Sequence, residues 1–291
     1  SMAGAIPPAT RRQFFHRLPP LTTRRRPPSS HGATIVAMVS GSSYWTSIQA
    51  DIHAHLHQAI PATPPAVVID PMRHLVLAAP NPAAPALCVA ACELLGGRRE
   101  DALRAASALH LAHAASAAHD LLLATERPTG RPAYAPNIQL LTGDGMGALA
   151  FELLARPGDP AGVNPDRILR VIVEIARAVG GAGAIRGRYR EMRAAEEGGA
   201  GWAERVGKKE GVLCGCAAAC GAIVGGGTEV EIEKLREYGV LVGRLRGLSE
   251  RDGERVEWVK EMAIAQLAGF GEGQAATLTR LVEVMARLVY V

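Results

Sequence analysis

The stretch that decides the fold runs from Leu87 to Gly97 and reads Leu-Cys-Val-Ala-Ala-Cys-Glu-Leu-Leu-Gly-Gly. It is an apolar helical segment closed by paired glycines, and a long helical pattern follows it directly. That helix ends in Ala118-His119-Asp120-Leu121, and Leu141-Thr142-Gly143-Asp144-Gly145 comes farther along the chain. Helical patterns continue almost to the last residue, and no alternating strand pattern of useful length occurs. The sequence therefore predicts an all-α fold.

The predicted helices together form a single helical domain over residues 41–291. Charged residues make up 21% of the chain and aromatic residues only 4%, which favours closely packed helices over a β-rich fold. Residues 66–86 are rich in proline and are predicted to be a weakly patterned connection. The helices are predicted over 44–60, 86–95, 99–124, 137–155, 165–180, 183–197, 202–224, 229–248, 254–269 and 274–290.

The first 40 residues differ in composition from the rest of the chain. They contain six arginines and no acidic residue, and they are rich in Ser, Thr and Pro. This composition is typical of a disordered plastid transit peptide, with a basic tail that binds a polyanion as the alternative. Ser1 before Met2 is typical of a cloning remnant. Without these arginines 26 basic and 28 acidic residues remain, so the predicted domain has no electrostatic bias toward nucleic acid or anionic membranes.

The order and spacing of these segments resemble the trans-prenyltransferases, all-helical enzymes that join isopentenyl diphosphate to an allylic diphosphate. In that family the long helix ends in His-Asp-Asp-Leu-Pro and opens an acidic cluster that holds magnesium. A second acidic cluster faces the first, because ionising an allylic diphosphate requires its charge to be neutralised. The resemblance runs from about Trp45 to the C-terminus. It implies the isoprenoid synthase fold.

The residues that carry the chemistry in that family are replaced here. The first cluster falls on Asp120, Leu121 and Glu126, and the second on Glu250, Arg251 and Glu254. A cation at position 251, within about 4 Å of a divalent ion, would cost several kcal/mol at an effective dielectric near 20. The family's basic Gly-Gly-Lys-Arg-x-Arg-Pro segment is replaced by residues 78–85, which carry no charge. These losses predict a protein with no catalytic residue, no metal and no cofactor of its own, so that magnesium belongs to a catalytic partner.

Two Cys-x-x-x-Cys motifs narrow the resemblance further. They are Cys88–Cys92 and Cys216–Cys220. A non-catalytic chain with this pair resembles the small subunits of plant plastid heterodimeric geranyl and geranylgeranyl diphosphate synthases, in which the motifs are implicated in binding the catalytic subunit. The alternative is that the four cysteines are small buried side chains like the alanines around them. The odd number of cysteines favours a reducing compartment such as the cytosol or the plastid stroma.

The resemblance implies a regulatory subunit that binds an active geranylgeranyl diphosphate synthase in the chloroplast. It would modulate the activity, the product chain length or the product delivery of that enzyme in isoprenoid biosynthesis, with thylakoid enzymes as possible further partners. One alternative is a divergent, weakly active magnesium-dependent prenyl diphosphate synthase that uses the remaining carboxylates. Another is a pure scaffold that recruits the synthase to thylakoid enzymes. Of the histidines of the long helix, His110 and His113 are predicted to be core or groove residues, and His119 matches a histidine that precedes the first acidic cluster of the family. A metal role for the three is the alternative.

Overall fold

The computed structural model describes residues 43–60, 66–78, 82–123, 134–156, 162–187, 189, 193 and 202–289, with 78, 121, 123, 202–208, 250 and 288 described by their backbone alone. Ten α-helices have described bounds, further helical residues lie at 184–187, 189 and 193, and the described residues contain no strand, which confirms the all-α prediction. The helices are α1 Ser43–Ala59, α2 Ala66–Ala78, α3 Ala83–Leu94, α4 Arg99–Leu123, α5 Pro136–Ala155, α6 Pro165–Val179, α7 Trp202–Gly225, α8 Glu229–Leu245, α9 Gly253–Gln266 and α10 Glu272–Leu288. A short 3₁₀ turn, Glu250–Asp252, precedes α9.

Some predicted features lie outside the described residues. They include the transit-like segment 1–40, most of the predicted helix 183–197 and the acidic position Glu126. Among the helices that are described, none combines the length and the apolar character needed to cross a bilayer.

The prediction of an irregular connection over 66–86 was wrong. The structure has helix α2 there, and α3 begins at Ala83. Pro71 lies inside α2, where its ring removes one backbone donor and would normally bend or end a helix. Burial of Met72 and Val76 in the core offsets this loss, and the Arg73 guanidinium donates a hydrogen bond to the Ile60 carbonyl. Tertiary packing therefore outweighs the local signal of the prolines.

Helix α7 lies at the centre of the helical packing. It packs on α3, α6 and α8, and more lightly on α4. Its sequence is rich in glycine, alanine and cysteine, so the neighbouring backbones approach closely. A Cβ atom built on Gly221 would lie 2.0 Å from the Cys88 carbonyl oxygen of α3, and one built on Gly239 of α8 would lie 2.3 Å from the Cys214 oxygen. These contacts leave no space for a methyl group.

The starts of helices α6 and α8 are marked by capping residues. The Asn164 side chain accepts a hydrogen bond from the Asp166 amide at the start of α6. Thr228 and Glu231 form a reciprocal capping box at the start of α8. The predicted starts at residues 165 and 229 agree with the structure because these caps act locally.

Candidate functional site

Asp120, the first acidic position, is neutralised by a cation from the same chain. It lies in the last turn of α4, and its Oδ2 is 2.5 Å from the Nζ of Lys209 on α7. Both side chains are mostly covered, with exposed fractions of 34% and 16%. Magnesium binds carboxylate oxygens at about 2.0–2.1 Å, so a metal ion at this oxygen would have to displace the lysine ammonium group. The chain thus supplies a positive charge beside the first position of the acidic cluster that the resemblance implies.

Glu210, the next residue of α7, forms an ion pair with the segment that aligns with the second acidic cluster. The Glu210 Oε2 accepts a hydrogen bond from the Arg246 guanidinium at 2.7 Å, and both side chains are mostly covered. Arg246 opens the segment that aligns with the second acidic cluster. Burial lowers the pKa of the nearby His113, an effect that Glu210 opposes and that the Lys209 and Arg246 charges reinforce. Lys209 and Glu210 of α7 therefore each form an ion pair with one of the two segments that align with the acidic clusters.

The positions aligned with the second acidic cluster lie in the 3₁₀ turn after α8 and at the start of α9. Arg251 lies in the 3₁₀ turn and Glu254 in the first turn of α9, and both are exposed. The side chains of Leu121 and Glu250 lie outside the described set. Within the described residues, no three His, Cys, Asp or Glu side chains converge on a position that could hold a metal ion. The described side chains therefore do not fit a magnesium cluster.

The histidines of α4 make contacts with the protein around them. His110 is buried, and its Nε2 donates a hydrogen bond to the Val76 carbonyl oxygen at 3.0 Å. Burial lowers the pKa of His110 to about 4, so its imidazole is neutral near pH 7. The Nε2 of His119 lies 3.2 Å from Asp144 Oδ1, although the angles are not those of a hydrogen bond. The placement of His110 agrees with the predicted core role.

All four motif cysteines are buried within the chain. Cys88, Cys92 and Cys220 have no exposed surface, and Cys216 is 4% exposed. Their thiols are free, and the Sγ atoms of Cys216 and Cys220 are 3.9 Å apart. Burial raises the pKa of Cys88 well above its usual value, so this thiol stays protonated. The placement matches the alternative of small buried side chains, and contact with a partner through these cysteines stays a prediction.

Lys209 and Glu210 were not identified from the sequence. They are charged residues near the start of the apolar stretch of a helix rich in alanine, glycine and cysteine. A charge brought into such surroundings requires a partner, which was the available signal that they hold other helices. Their partners, Asp120 and Arg246, are distant in sequence and could not be identified without the fold.

Helices α5 and α6 expose apolar side chains. Leu140 and Leu141 of α5 are 46% and 65% exposed, while the opposite face of this helix buries Met146 in the core. Beside it, Leu169 and Val173 of α6 are 60% and 45% exposed. A helix that is apolar on both faces is normally covered on both. We call the four exposed residues (Leu140, Leu141, Leu169 and Val173) the α5–α6 face.

The chain is similar in sequence and in fold to known proteins. No protein-family model matches the chain. The chain is 44% identical over 248 residues to the chloroplastic heterodimeric geranylgeranyl pyrophosphate synthase small subunit 2 of Cannabis sativa, covering 79% of this chain and 86% of that protein. The structure of the geranyl diphosphate synthase small subunit from Antirrhinum majus matches with a TM-score of 0.74 and 42% identity, over 83% of this chain and 98% of that one. A chain of the heterotetrameric geranyl pyrophosphate synthase from mint, in a deletion mutant, matches with a TM-score of 0.73 and 42% identity, over 83% and 99%.

Proposed function

This chain belongs to the small subunits of plant heterodimeric geranylgeranyl pyrophosphate synthases, within the trans-prenyltransferases, and on that basis we propose that it is a regulatory subunit without catalytic activity of its own. It binds an active geranylgeranyl diphosphate synthase. It modulates the rate of that enzyme, its product chain length or the delivery of its product in isoprenoid biosynthesis. The relatives are small subunits of heterodimeric or heterotetrameric enzymes, which supports a catalytic prenyltransferase as the partner.

The observation that carries the proposed lack of catalysis is the ion pair between Asp120 and Lys209. An active prenyltransferase must hold magnesium against a diphosphate, and this requires free carboxylates. Here the Asp120 carboxylate is already paired at 2.5 Å, and Arg251 brings a further positive charge to the second segment. Magnesium and both diphosphates are therefore bound by the partner, and this chain supplies no cofactor.

The α5–α6 face is the surface proposed for the partner. Its four apolar side chains are already positioned by helices that pack on the core, so little ordering is needed on binding. Covering such a face with an equally apolar surface of the synthase would remove it from water. The bound subunit then favours one conformation of the synthase, which changes its turnover through a shift in population.

The proposed site of action is the chloroplast. The relatives from Cannabis sativa and Arabidopsis thaliana are chloroplastic proteins, and the arginine-rich, acid-free first 40 residues have the composition of a transit peptide. The stroma is the proposed compartment. Recruitment to thylakoid enzymes that use geranylgeranyl diphosphate is a further part of this proposal.

A product assay on the isolated chain tests the lack of catalysis. We expect no product from labelled isopentenyl and dimethylallyl diphosphates with magnesium, at a protein concentration at which an active plastid synthase converts them. The Asp120→Asn variant is the matched control, because it keeps the side-chain size and removes the charge. Product from the wild-type chain that depends on magnesium and is lost in Asp120→Asn would instead identify the divergent enzyme.

A further inference from the structure

The two Cys-x-x-x-Cys motifs meet at one crossing of two helices. Cys88 and Cys92 lie on α3, and Cys216 and Cys220 lie on α7, which packs closely against α3. A Cβ atom on Gly221 would lie 2.0 Å from the Cys88 carbonyl oxygen. One on Gly225 would lie 3.0 Å from that of Cys92.

Both helices therefore present residues four apart at the crossing, which is the spacing of one ridge of side chains on a helix. Cys88 and Cys92 of α3 are therefore in register with Gly221 and Gly225 of α7. Nothing larger than the side chains present fits between the two backbones without moving one of them. We call this contact between α3 and α7 the cysteine crossing.

The cysteine crossing also lies beneath α6. A hydrogen bond with Cys216 and burial raise the pKa of the Cys220 thiol. The Glu174 carboxylate of α6 adds to this rise, so Cys220 lies close enough to α6 to interact electrostatically with it. Glu174 is held by the Arg236 guanidinium of α8 through two hydrogen bonds of 2.9 and 3.0 Å. Arg167 of α6 donates a hydrogen bond to the Val224 carbonyl of α7 at 3.4 Å. The position of α6 is thus set from within by α7 and α8.

We infer that the two motifs act together as an internal support that sets the position of α6, and that their thiols do not touch the partner. The inference rests on the proposed function, since Leu169 and Val173 of α6 belong to the face proposed for the synthase. A bulky side chain at the cysteine crossing moves α7 and α6, so it weakens partner binding from a distance. A small side chain without a thiol preserves the crossing.

Thiol labelling of the native chain tests the first half of this inference without any partner. Maleimide is added to the free chain and to its complex with the synthase, and the modified peptides are identified by mass spectrometry. The motif cysteines are expected to stay unmodified in both, and to react fully after denaturation. Rapid labelling of any of the four in the free chain, with protection in the complex, would show direct contact and overturn the inference. The free-chain result stands even if no complex forms, so a failure of the proposed function is seen separately.

Substitutions at two buried cysteines of α7 test the second half. Cys220→Leu is expected to weaken binding to the synthase at least about tenfold, corrected for the folded fraction, because it overpacks the crossing. Cys214→Leu is the matched control, because Cys214 is also fully buried but belongs to neither motif. Cys214 lies near α8, where it contributes to the raised pKa of Tyr238. The Cys214→Leu variant is expected to change the affinity less than about threefold while lowering stability to a similar extent.

A small replacement separates packing from thiol chemistry. Cys220→Ala is expected to keep the affinity within about threefold, and Cys220→Val replaces Cys220→Leu if the latter does not fold. Equal loss of affinity in Cys214→Leu and Cys220→Leu would indicate a general effect of stability and contradict the proposed support. A loss in Cys220→Ala as large as that in the bulky variant would show that the thiol itself is required, which also contradicts it.

Discussion

We expect the double substitution Leu141→Glu and Leu169→Glu to weaken the complex with the catalytic synthase by at least about 100-fold. The two leucines are 65% and 60% exposed in the free subunit, so the change leaves the folded chain almost undisturbed. In the complex each glutamate would be buried opposite an apolar surface without a cation. A loss of about 1.4 kcal/mol corresponds to a factor of ten in affinity, and two buried unpaired charges cost more than twice that amount.

The matched control makes the same change on another helix. Trp258 and Met262 of α9 are 53% and 38% exposed, and α9 packs mainly on α8 and α10. The Trp258→Glu and Met262→Glu double variant is expected to keep the affinity within about threefold, because these residues lie outside the α5–α6 face. The measurement is isothermal titration calorimetry with the purified synthase. Unchanged affinity in the leucine variant, or an equal loss in the control, would place the interface elsewhere.

The second large effect is expected on stability. Gly221→Ala should reduce the free energy of unfolding by about 3 kcal/mol, because the added methyl would lie 2.0 Å from the Cys88 carbonyl oxygen and force α3 and α7 apart. For a chain of this size that loss lowers Tm by roughly 6 °C. Differential scanning calorimetry measures it.

Gly273→Ala is the control for this change. Gly273 lies in α10, and nothing lies within 4 Å of an added Cβ atom. Because alanine favours the helix by up to about 1 kcal/mol, this variant should be as stable as the wild type or slightly more stable. A wild-type Tm in Gly221→Ala would mean that the two helices are not as close as the structure describes.

The fold could be predicted from the sequence because its signals are local. Spacing of apolar residues and the caps at Asn164 and Thr228 mark helix starts without reference to the rest of the chain. Helix α2 was missed because Pro71 gives a local signal against a helix, whereas the burial that stabilises α2 comes from distant residues. Within the site, the replacement of acidic residues by Leu121 and Arg251 was visible in the sequence. The pairing of Asp120 with Lys209 was not, because it joins helices that only the fold brings together.

The burial of the motif cysteines could not be predicted from the sequence, for the same reason. A helical spacing of four residues places both thiols of a motif on one side of a helix, but it does not say whether that side faces the interior or a partner. The structure shows that all four are buried, two on α3 and two on α7, and that these helices pack against each other. The exposed apolar residues of α5 and α6 could be recognised as a surface only after the core had been identified.

The most direct test of the central claim is a product assay on mixtures. A plastid geranylgeranyl diphosphate synthase is held at a fixed concentration with labelled isopentenyl and dimethylallyl diphosphates and magnesium, and the subunit is added in increasing amounts. We expect the rate or the product chain length to change and to saturate at a fixed ratio of the two proteins, with the Leu141→Glu and Leu169→Glu variant giving no change. An unchanged rate and product distribution at every ratio, together with no complex by size-exclusion chromatography, would contradict the proposed function.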